Sequence, residues 1–121
     1  MPLKFEIDTA KKTIICKVTG ALTVQGISDF RAALQRDPAF ETDLSLLFDM
    51  LGVTEFQISS AKLQQLAERT PMNQKSKRAY VTPTETAFGL IRVFSAFSNA
   101  NAENFQVFRD LGEARKWLGL D

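Results

Sequence analysis

The sequence predicts a single α/β domain over residues 1–121, a mixed β-sheet packed with helices in the order β-β-α-β-α-β-α-β-α. Three observations carry this. Two alternating segments at the start face each other across a polar turn, the pattern of a hairpin. The run Leu44-Ser45-Leu46-Leu47-Phe48-Asp49-Met50 is nearly continuous in apolar residues, as in a central strand covered on both faces. Beyond the hairpin, helical and strand periods alternate, which favours parallel pairing through helical crossovers.

In the first strand Phe5 and Ile7 alternate with Lys4 and Glu6, and Asp8-Thr9-Ala10-Lys11-Lys12 forms the turn. In the second, Ile14, Cys16 and Val18 share one face as far as Gly20. Thr23 is a suitable N-cap for a helix with Val24, Ile27, Phe30 and Leu34 at helical spacing, stopped near Arg36 because Asp37-Pro38 disfavours the α region. After the central strand a loop is expected from Gly52. Ser59 or Ser60 then caps a second helix with a Leu63, Leu66, Ala67 stripe, ended by Thr70-Pro71. Ala79-Tyr80-Val81 reads as a short strand. Thr82-Pro83-Thr84-Glu85 reads as a capping box with proline at the first helical position, opening a helix over 83–98. Phe105-Gln106-Val107-Phe108 is a further strand. Asp110 and Glu113 cap a last helix holding Leu111, Ala114, Trp117 and Leu118, closed by Gly119.

Composition narrows the function. The formal net charge is +1, so no global field draws the chain to nucleic acid, and any anion site must be local. The lone Cys16 excludes an intramolecular disulfide. The first residues carry no apolar signal region, and no stretch approaches the roughly 20 apolar residues of a spanning helix; a cytoplasmic location is expected. Histidine is absent, which removes the commonest general base and metal ligand and excludes Ser-His-Asp, Cys-His and ordinary Cys/His zinc sites. No constellation of Asp, Glu, Lys and Tyr stands out as catalytic, and Asp43, Asp49 and Glu55 make no credible metal site. A non-enzymatic domain without cofactor or metal is the expectation.

Three segments carry a family resemblance. Val107-Phe108-Arg109-Asp110-Leu111-Gly112-Glu113-Ala114-Arg115-Lys116-Trp117-Leu118 resembles the strand-to-helix finish of the SpoIIAA-like family, a branch of the STAS superfamily (sulfate-transporter and anti-sigma-factor-antagonist domains). Val18-Thr19-Gly20-Ala21-Leu22-Thr23 resembles that family's passage from hairpin to first helix, and Leu46-Leu47-Phe48-Asp49 its central strand with a terminal Asp. The resemblance covers nearly the whole chain. It implies a STAS-like sheet with helices, no enzyme activity, and a binding protein associated with membranes or hydrophobic ligands. In anti-sigma antagonists a serine at the start of the helix after the central strand is phosphorylated. Here the usual Asp-Ser-Ser-Gly is replaced by Ile58-Ser59-Ser60-Ala61, without the acid or the glycine.

Four places are candidate sites. The helix over 83–98 has apolar residues, Phe88, Ile91, Phe94 and Phe97 among them, over well more than half its circumference, whereas an ordinary surface helix needs an arc of about 100° or somewhat more. The surplus fits a lid over an apolar pocket, an interfacial helix or a homodimer contact, or else a helix wedged between the sheet and its neighbour. Ser59 and Ser60 are phosphorylation candidates; the plainer alternative is a helix cap with Ile58 as hydrophobic staple. Lys75, Lys77 and Arg78, with Arg92, are candidates for an anionic or membrane surface, against a simply solvated loop. Asp49 ends the central strand, where ligand sites often lie, against a local acceptor of N–H groups. Cys16 is expected in the core, and Trp117 as the anchor of the last helix.

The leading expectation is a binding module for a small hydrophobic or lipid-like molecule or a membrane surface, using the helix over 83–98. The alternative is a regulatory protein-interaction domain switched at Ser59 or Ser60. No nucleic-acid partner is expected.

Overall fold

The structure is a computed structural model describing residues 3–121. Strands β1 (Leu3–Asp8) and β2 (Thr13–Thr23) pair antiparallel. In their turn Asp8 Oδ1 accepts the Lys11 N–H at 3.0 Å, and Lys12 takes a left-handed backbone with φ 50°. Then come α1 (Val24–Arg36), β3 (Ser45–Gln57), α2 (Ser60–Glu68), β4 (Arg78–Val81), α3 (Glu85–Phe97), β5 (Phe105–Phe108) and α4 (Leu111–Trp117). The mixed sheet and the element order are those the sequence predicts. Thr23 caps α1, Ser59 caps α2 and Asp110 caps α4, each accepting a backbone N–H from the first turn.

The strands lie in the order β1-β2-β3-β4-β5, with β2 to β5 parallel. Each crossover steps one place in the same direction. Connections of one hand then fall on one side of the sheet. Accordingly α1, α2 and α3 bury Phe30, Leu34, Leu63, Ile91 and Phe94 against Ile14, Cys16, Phe48 and Tyr80. The other face is covered over Leu47, Ala79 and Val81, by Ala114 of α4 and by Leu120 beyond it.

Two elements differ from expectation. First, neither Gly20 nor Gly52 ends a strand. β2 runs on to Thr23 and β3 to Gln57, and the two extensions pair with each other, Thr19 with Gly52 and Leu22 with Phe56. Register shifts at Lys17/Thr19 and Gly20/Ala21 accommodate them, and Gly20 has φ 73°. The glycines therefore mark an irregularity inside a ladder, one of the roles glycine takes in strands. Second, the cap of α3 is Thr84, whose side chain accepts the Ala87 N–H at 3.1 Å, so the helix spans 85–97 instead of 83–98. Thr82 is fully buried and donates its hydroxyl to the Phe108 carbonyl at 3.0 Å, tying β4 to β5.

Gly52 is held by packing. A Cβ there would stand 2.8 Å from Thr19 Cγ2 and 3.1 Å from the Val18 carbonyl oxygen. Gly52→Ala is therefore expected to force the β2–β3 extension apart, at a cost of about 1–3 kcal/mol. A urea titration checks this; an unchanged midpoint would show that the extension yields freely.

Candidate functional site

The helical face of the sheet is aromatic. Tyr80 is its centre, stacked on Phe105 at 4.9 Å between centroids, with Phe48 at 5.1 Å and Phe94 at 5.7 Å. Phe48 continues the chain of rings to Phe30, and Phe30 to Phe5. Register explains the assembly: Phe48 lies opposite Tyr80, and Phe105 opposite Arg78, so their side chains share one face.

Between this face and the three helices is a cavity of about 40 Å³. Phe30, Leu34, Leu63, Met72, Ile91 and Phe94 are among its walls, and Tyr80 and Arg31 supply polar groups. Above it, α2 packs against α3 more closely than against α1. A wider groove of about 600 Å³ separates α1 from α2, and Arg31 lines both spaces.

Two arginines meet the phenol electrostatically. Burial lowers the pKa of both Arg31 and Arg78, while Tyr80 favours their charged forms. Burial raises the Tyr80 pKa, and the two guanidinium charges oppose the rise. Neither arginine has a carboxylate partner; the one ion pair among the described residues is Arg115–Asp121 at 3.0 Å. Arg78 instead donates through Nη2 to the Asn73 carbonyl at 2.6 Å and to Asn99 Oδ1 at 2.9 Å. Asn99 Nδ2 donates to the Met72 carbonyl at 2.9 Å. This knot ties the segment after α2 to the segment after α3, and so fixes Pro71 and Met72, two walls of the cavity. Arg78 Nε is buried without a partner, a cost the knot has to outweigh.

The residues singled out in the sequence are dispersed. Ile91 and Phe94 line the cavity; Phe88 and Phe97 do not. Phe88 is half-buried in a polar groove with Arg92 and Ser95 on another side of α3, while Phe97 and Val93 are 41% and 53% exposed. The surplus apolar arc is thus real, but only part of it faces the cavity. Asp49 belongs to the opposite sheet face, in register with Lys17, and its Oδ1 accepts the Leu51 N–H at 3.0 Å. It is a local acceptor with no place in the cavity. The basic run forms no common surface, because strand alternation sends its members apart. Arg78 is buried at 2% exposure; Lys77 lies 4.4 Å from the Trp117 ring centroid and donates to the Trp117 carbonyl; only Lys75 is fully solvated. Arg92 is exposed and distant from that run in the chain. Ser59 and Ser60 are both exposed, and Ser59 accepts the Lys62 N–H at 3.3 Å as the cap of α2. Cys16 is fully buried, and Trp117 packs on Phe108 at 5.8 Å.

The sequence placed Leu63 on a helix stripe and Tyr80 in a strand but assigned neither to a site, and it singled out neither Arg31 nor Met72. For Arg31 a signal existed. It occupies the i+4 place in the stripe Ile27, Phe30, Leu34, where a helix turned to its sheet ordinarily carries an apolar residue.

No family model matches the chain, and no curated protein does. Among solved structures it is similar to an uncharacterised protein of the DUF3478 family from Shewanella loihica PV-4, described as having a SpoIIAA-like fold. The two share 18% identity over 96% of this chain and 93% of that one, with a TM-score of 0.61. The fold is therefore SpoIIAA-like, as the sequence resemblance implied. Among the described residues no helix is long and apolar enough to cross a membrane, and no cluster of three His, Cys, Asp or Glu side chains is arranged to hold a metal ion.

The two raised acids on the aromatic face set a pH dependence. Burial raises Cys16, with Asp49 adding to it, and burial raises Tyr80. Both stay protonated in the folded chain at pH values where the unfolded chain releases them, near about 8.5 for the thiol and about 10 for the phenol. Their contribution is complete below those values and declines as pH rises beyond them. The urea midpoint should fall above about pH 8.5 and more steeply above about 10. Cys16→Ala should remove the first decline and Tyr80→Phe the second; declines that persist in both variants would contradict the assignment.

Proposed function

We propose that the protein is a binding module for a small apolar or amphiphilic molecule, received by the cavity between the aromatic sheet face and α1, α2 and α3. The observation that carries this reading is the cavity itself: an apolar space in the main core, bounded by Arg31 and Tyr80. The SpoIIAA-like resemblance, with its implied hydrophobic ligands, points the same way. The site differs from the one expected on the helix over 83–98, sharing Ile91 and Phe94 with it and taking its other walls from α1, α2, the sheet and residues 70–72.

At about 40 Å³ the cavity admits little more than a water or a methyl-sized group; a benzene-sized guest needs on the order of 150 Å³. Uptake of a longer chain requires the roof to move. The part that opens is the α1–α2 seam, while the segment 70–73 stays tied by Arg78 and Asn99. No comparable observation favours the regulatory alternative, for which Ser59 stands as the cap of α2 and Ser60 beside it, both exposed.

The test uses 1-decanol as a neutral apolar probe. Binding should raise Tm, by on the order of 3 °C for each 1 kcal/mol gained. Leu63→Phe places extra volume in the cavity and should abolish the rise while keeping a cooperative transition of its own. No shift with the unaltered protein, or an equal shift with Leu63→Phe, would overturn the reading.

A further inference from the structure

The groove between α1 and α2 has an uneven charge. Four cationic side chains line it, Arg31 and Arg36 from α1, Lys62 from α2 and Arg69 at its C-terminal cap, together with Gln35 and Gln65. No carboxylate lines it. The nearby acids are engaged on their own helices: Asp29 accepts from Gln25 at 2.7 Å, and Glu68 from Gln64 at 3.0 Å. Among the described residues none of the four cations is in an ion pair. This contrasts with a chain whose formal net charge is only +1.

Such an arrangement is self-repulsive in the absence of an anion. Arg31 is half-buried, its head more removed from water than an exposed cation, and it has one weak partner, the Arg69 carbonyl at 3.4 Å. Arg31 is also the one cation shared by the groove and the apolar cavity. The two spaces are thus joined at a positive charge, with apolar walls on one side and three further cations on the other.

We infer that the groove holds the anionic headgroup, a carboxylate or phosphate, of an amphiphile whose chain enters the cavity beside Arg31. This rests on the reading of the cavity as a ligand site and adds the chemical class of the ligand. Arg31 receives the headgroup oxygens through its planar fork, the geometry arginine offers to carboxylate and phosphate alike. Arg36, Lys62 and Arg69 draw the anion in and neutralise it from the rim. The anion in turn relieves the repulsion across the seam between α1 and α2, so that occupancy and closure favour each other.

Calorimetric titration of the full chain with decanoate, 1-decanol, inorganic phosphate and vesicles of phosphatidylglycerol separates the sources. Decanoate should bind about tenfold or more tightly than decanol, the effect of one charge-assisted contact, and the advantage should shrink with added salt. The exposed pair Lys62→Gln/Arg69→Gln, which leaves the core untouched, should reduce decanoate binding and leave decanol binding unchanged. Arg31→Lys should keep the salt dependence and lose part of the affinity. Equal binding of decanoate and decanol would overturn the headgroup site while leaving the apolar cavity standing. Phosphate binding as tight as decanoate, or binding to vesicles alone, would also overturn it, showing a free-anion or bilayer site. Failure of decanol as well as decanoate would remove the cavity reading beneath it.

Discussion

Everything in this molecule follows from the direction in which the chain crosses its sheet. From β2 to β5 every crossover moves one strand onward the same way, so α1, α2 and α3 are confined to one face. Three helices must share a face that five strands make wide. They do not share it evenly: α2 leans on α3, and a seam opens beside α1. A groove at that seam and a cavity beneath it are consequences of topology, before any side chain is chosen for function.

Side-chain chemistry then works on that geometry. Large rings from β3, β4, β5 and α3 fill the face, with Tyr80 at their centre. Two arginines approach the same ring from opposite origins, a helix and a strand, with no carboxylate to meet either. The roles diverge. Arg78 is satisfied in part by backbone and amide oxygens and binds two loops together, a structural task. Arg31 has little to hold it and stands where the seam meets the cavity. A half-buried cation with so weak a partner is costly, and such cost is most readily understood at a site whose partner comes from outside.

The fold was largely legible because periodicity, caps and punctuation agreed. Thr23, Ser59 and Asp110 all cap where local chemistry indicates. The extended ends of β2 and β3 were hidden because glycines and exposed polar residues such as Thr54 and Glu55 look like a loop until each strand finds the other. Such pairing is non-local. The site was less legible for the same reason. Ile91 and Phe94 belong to a conspicuous apolar helix, but its outward half, Phe97 and Val93, faces away from the cavity. The run from Lys75 to Arg78 looked like one charged patch, yet strand alternation sends Lys77 to Trp117 on one face and Arg78 into the core on the other. Cations brought together from α1 and α2 are separated by some thirty residues of chain, and only the folded sheet makes them neighbours.

The proposed ligand site belongs to the helical face beneath the α1–α2 seam, and to neither the exposed side of α3 nor the open part of the opposite sheet face. Methyl-resolved NMR during titration with decanoate reads this directly. The largest shifts should fall on Leu34, Leu63, Met72 and Ile91, which line the cavity. Shifts concentrated instead on Val93 of α3 or on Leu51, both exposed and remote from that space, would contradict it.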